Sequence, residues 1–145
     1  MKKFLFLIPT LVAVFLLFSI QAHASFILTL DDNAGTVISV PDTNTDGIIS
    51  YNGAVGANWT VNVTTGLSKP VFGVGIPKMD LNTLNVSSLA GGTLDIYLTD
   101  TDFVLAQANP NLAMFTGGTT NGTMTVTAWL DPANLQIDNS TSPSG

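Results

Sequence analysis

Three stretches of this chain alternate apolar and polar residues with a period of two, and that pattern limits the fold more than any other feature. In NWTVNVTT (58–65), Trp59, Val61 and Val63 share one face of an extended chain, while Thr60, Asn62 and Thr64 share the other. TLDIYLTD (93–100) sets Leu94, Ile96 and Leu98 against Asp95, Tyr97 and Thr99, and TMTVTAWL (123–130) sets Met124, Val126 and Ala128 against Thr125, Thr127 and Trp129. The abundance of Val and Thr suits a pleated, half-buried surface. Shorter strand candidates are FILTL (26–30), TVISV (36–40), GIISY (47–51) and PVFGV (70–74), each bounded by Asp, Asn, Gly or Pro. In MDLNTLNVSS (79–88), Met79 and Leu81 keep one phase and Leu84 and Val86 the other, so a bulge or turn should fall between them. About seven or eight such strands predict an all-β domain, a β-sandwich of Greek-key or jelly-roll-like order. Trp59 is expected in its core. Only DFVLAQANPNLAMF (102–115) reads as partly helical, with Asp102 as N-cap and Pro110 as the stop.

The chain opens with Lys2 and Lys3, a long apolar run from Phe4 to Ile20, and Ala22-His23-Ala24. That order of charge, apolar core and small-residue exit predicts a secretory signal peptide over 1–24, cut after Ala24, and hence a secreted or cell-surface protein. The β domain is then expected over 25–137, followed by a polar, disordered tail, DNSTSPSG (138–145). Beyond residue 24 the charges are Lys69 and Lys78 against ten Asp, with no Arg and no Glu, so the formal balance is 2 − 10 = −8. Basic-patch binding to nucleic acid or anionic membrane is disfavoured. With no Cys, disulfides cannot hold the domain, and the composition suits a bacterial exported protein.

His23, the only His, falls in the segment expected to be removed. The mature chain therefore lacks His, Cys, Arg and Glu, which excludes the usual catalytic triads, His/Cys zinc sites and Arg-clamped phosphoryl transfer. Two enzymatic routes survive. A carboxylate pair drawn from Asp95, Asp100 and Asp102 would act as in a glycosidase, and Ser68 activated by Lys69 would be a nucleophile. Against these, TDTD (99–102) reads as a polar turn, and adjacent Ser68 and Lys69 point to opposite faces of an extended chain.

DTNTDGIISYNG (42–53) places Asp42, Asn44, Asp46 and Gly47 at positions 1, 3, 5 and 6 of a calcium loop. Gly53 stands where the bidentate Glu is required, which leaves Asp42, Asn44 and Asp46 as a weak calcium candidate. Strand patterns on both sides and the Asp46-Gly47 pair argue instead for a hairpin connection over 41–47 without a metal or other cofactor. Trp129 and Tyr97 lie opposite the aliphatic stripes of their strands and are weak candidates for stacking a sugar.

YNGAVGANWTVNVTTGLSKP (51–70), MDLNTLNVSS (79–88), GGTLDIYLTDTDF (91–103) and GGTTNGTMTV (117–126) together resemble a group of bacterial secreted proteins. Many members pair a Gly-rich β domain with a PEP-CTERM tail, the sorting signal read by exosortase. This sequence shows no Pro-Glu-Pro, no second apolar helix and no terminal Arg cluster. The resemblance implies an exported β protein of bacteria that make extracellular polysaccharide. The leading functional expectation is a non-enzymatic extracellular matrix or cell-surface component that associates with polysaccharide or other surface proteins. The alternative is a carbohydrate-binding module using Trp129 and Tyr97, and the third is an Asp-dependent glycoside hydrolase.

Overall fold

The computed structural model describes residues 25–73, 77–103 and 113–130. Among them there is no helix, and six strands form two antiparallel three-stranded sheets. The strands are β1 (Ile27–Asp31), β2 (Val37–Pro41), β3 (Ile48–Val55), β4 (Trp59–Leu67), β5 (Asp80–Ser88) and β6 (Asp95–Thr99). One sheet runs β2-β1-β6 and the other β3-β4-β5, so the chain leaves the first sheet after β2 and returns to it with β6.

Register explains why the alternating residues are buried together. Leu28 pairs with Val40 on one side and Leu98 on the other, and Leu30 with Ile38 and Ile96, giving two apolar rows across the first sheet. These rows share one core with Ile49, Val55, Val61 and Val63 of the second sheet. Each fully buried Leu contributes about 1.5–3 kcal/mol relative to exposure. Trp59 is half-buried and packs against this cluster without belonging to its buried centre, because it opens β4 beside the turn at 56–58.

The phase change expected in 79–88 is real and is shared by two strands. Pairing between β3 and β4 slips between Ile49 and Tyr51, so β4 carries one residue more than β3 there. On the other side of β4, Thr83 has φ +54° within β5. Beyond this irregularity the buried positions of β4 change from Val61 and Val63 to Gly66, and Ser68 just past the strand is buried as well. Gly66 leaves room for the first sheet: a Cβ there would meet Leu98 Cδ1 at 3.3 Å.

Several expectations fail. Residues 41–47 are not a hairpin, because β2 pairs with β1 and β3 with β4; the segment bridges the two sheets. Residues 70–72 form a turn after β4 where the strand expected over 70–74 should begin, and residue 74 lies outside the described residues. Among the described residues the alternating stretch 123–130 belongs to no sheet, and Met124 (52%), Val126 (42%) and Trp129 (45%) are exposed. Asp102 has φ +62°, a left-handed conformation unlike the extended backbone of an N-cap. The signal peptide over 1–24, most of the helical stretch expected over 102–115, and the tail over 138–145 lie outside the described residues.

Candidate functional site

The chemistry-bearing side chains converge where β4 and β6 end. The slip in β4 turns Ser68 inward, and its amide donates to Gly47 O at 2.9 Å. Gly47 has φ +75°, and a Cβ on it would clash with the Lys69 carbonyl, so the inter-sheet bridge fits against the Ser68–Lys69 backbone only with Gly there. Across the interface, β6 delivers Asp100 one residue past its end.

Ser68 Oγ donates to Asp100 Oδ2 at 2.5 Å, and Lys69 Nζ lies 3.2 Å from the same oxygen. The backbone N–H of Thr101 donates to Asp100 Oδ1 at 2.8 Å. Lys69 Nζ also donates to Thr101 O and lies 4.2 Å from the centroid of the Phe103 ring. The side chains of Lys69 and Asp100 are 7% and 0% exposed. A buried pair of this kind persists only when its charges are matched and its remaining polar atoms are bonded, a condition the Ser68 and Thr101 donors meet.

Sequence reasoning considered Ser68 with Lys69 and Asp100 with Asp102; the structure instead brings both Ser68 and Lys69 to Asp100. Ser68 is completely buried, so no substrate reaches its hydroxyl in this conformation. Asp95 lies at the other end of β6 and accepts from Asn33 Nδ2 at 3.0 Å.

The calcium candidate is wired to itself. Asp42 Oδ2 accepts from Gly47 N at 2.7 Å, Asp46 Oδ1 from Ile48 N at 2.9 Å, and Asp46 Oδ2 from Asn44 Nδ2 at 2.8 Å. These are the local bonds by which Asp and Asn shape loops. Asp42 Oδ1 is buried without a hydrogen-bond partner. No group of three or more His, Cys, Asp or Glu among the described residues is arranged to hold a metal ion.

Tyr97 lies on the outward face of the first sheet, paired with Thr29 and close to Asp31 and Asp95, which face each other across β1 and β6. Burial first, then the two carboxylates, raises its phenol above the ordinary range. Trp129 belongs to the unpaired stretch, so the two aromatics are not on a common sheet. Comparison with protein-family models, curated proteins and solved structures finds no match.

Proposed function

We propose that this is an exported, non-enzymatic matrix or cell-surface protein that works by association, built as a β-sandwich in which further strands complete the two small sheets. The observation that carries this reading is the set of large apolar side chains left exposed on β5 and along 114–129. Leu84 and Val86 of β5 stand beside the buried Val63 and Val61 on the same sheet face, yet are exposed. Met114, Phe115 (96%), Met124, Val126 and Trp129 are exposed as well. Exposed apolar surface of this kind marks association sites, and an edge strand offers unpaired backbone groups to a partner. The expected signal peptide and the resemblance to exported bacterial β proteins support the same reading.

The exposure of Trp129 favours a second reading, sugar stacking by a carbohydrate-binding module. Expression in a bacterial host with fractionation, followed by sedimentation of the exported protein alone and with extracellular polysaccharide, separates the two. Concentration-dependent association lost on Val86→Ser with Val126→Ser supports the first. Polysaccharide binding lost only on Trp129→Ala supports the second. A cytoplasmic monomer that binds neither contradicts both.

A further inference from the structure

We propose that Lys69 and Asp100 condense into an intramolecular isopeptide bond that ties the end of β4 to the end of β6, and so one sheet to the other. In water an ammonium and a carboxylate remain an ion pair, because both charges are solvated and water drives amide hydrolysis. Here both side chains are buried, which penalises the charged pair, and the fold holds them in contact, which replaces a bimolecular encounter.

The surrounding donors match the reaction. Nζ transfers one proton to Oδ2 across the 3.2 Å contact, giving a neutral amine and a carboxylic acid. The nitrogen lone pair then attacks Cγ, and the negative charge that develops on Oδ1 is met by the Thr101 N–H at 2.8 Å. A second Nζ proton passes to Oδ2 with the Ser68 hydroxyl, 2.5 Å away, as relay. The Cγ–Oδ2 bond breaks, Oδ2 leaves as water, and an Nζ–Cγ amide remains. Two formal charges disappear, the net charge is unchanged, and no oxidant or co-reactant is needed. The Thr101 carbonyl and the Phe103 ring hold Nζ in place.

For a chain with no Cys, such a bond supplies the covalent tie between sheets that a disulfide would otherwise provide. This inference does not rest on the association reading, and a monomeric protein would carry the bond equally well.

Mass spectrometry of the purified, denatured full-chain product tests it. The expected result is a mass lower by one water than the sequence of the observed chain, with a branched proteolytic fragment joining residues 69 and 100. Water loss by cyclisation at Asp46-Gly47 gives a linear fragment and is thereby distinguished. Lys69→Arg keeps a cation but removes the amine and should restore the full mass. A wild-type chain of full mass, a linear fragment bearing the loss, or water loss persisting in Lys69→Arg would each overturn the proposal.

Discussion

β4 and the stretch 123–130 carry the same alternation, yet one lies at the centre of a sheet and the other in no sheet among the described residues. Val61 and Val63 are buried because β3 and β5 pair on either side of β4 and the first sheet covers their face. Met124 and Val126 have the same spacing, followed by a Trp, and remain exposed. Alternation thus reports that a segment can present an apolar face; it does not report that the chain itself supplies the cover. β5 is intermediate, since its backbone pairs with β4 while its side chains are largely exposed.

The largest effect that would sharpen this contrast lies at the buried pair. Asp100→Ala should cost about 3–5 kcal/mol in denaturant unfolding, because it leaves the Lys69 ammonium buried without its counter-charge. Replacing both with apolar residues of similar volume, as in Lys69→Met with Asp100→Leu, should recover the part of that loss due to the unpaired charge, and leave the part that the covalent tie contributes. Next comes the shared core, where Leu28→Ala should cost about 2–5 kcal/mol through lost burial and a residual cavity. A loss below about 1 kcal/mol would mean that the two sheets do not share a tight core.

Smaller effects depend on pH. Asp32 accepts from the backbone N–H of Thr36 and of Ala34, both at 2.8 Å, and these bonds, Thr36 first, hold its carboxyl below the usual range. A depressed carboxyl contributes stability that is present above its unfolded pKa and lost as pH falls through the folded one. Asp32→Asn should therefore flatten the acid limb of stability below about pH 4. Tyr97 has the opposite sign. Its raised phenol favours the folded state below the unfolded pKa in a manner that acts against ionisation, and stability falls as pH climbs above about 10, where the unfolded phenol ionises first. Tyr97→Phe should weaken that alkaline loss.

The smallest change in stability is expected at Val126→Ser, within about 0.5 kcal/mol, since that residue is exposed. Its effect should fall on association instead.

The strands from 26 to 67 and from 93 to 100 were legible because each pairs with a neighbour that buries its apolar face. The irregularity in 79–88 was legible too, from the conflict in phase between Leu81 and Leu84. The inter-sheet bridge at 41–47 was not, because Asp46-Gly47 signals a turn and leaves the choice of strand partner open. The meeting of Ser68 and Lys69 with Asp100 was also hidden: it depends on the extra residue in β4 and on the pairing of β6 with β1, both of which are long-range facts. A hint was present in the composition, since Lys69 is one of only two cations beyond residue 24 and sits among uncharged residues in GLSKPVF (66–72).

Hydrogen exchange of the dilute protein, resolved to residues 59–67 and 123–130, tests the central contrast most directly. Strong protection of β4 and near-unprotected exchange of 123–130 are expected, with protection of the latter rising as the protein is concentrated or its partner added. Equal protection of both segments in dilute solution would show that 123–130 is already a paired strand, and would remove the open apolar surface on which the association reading depends.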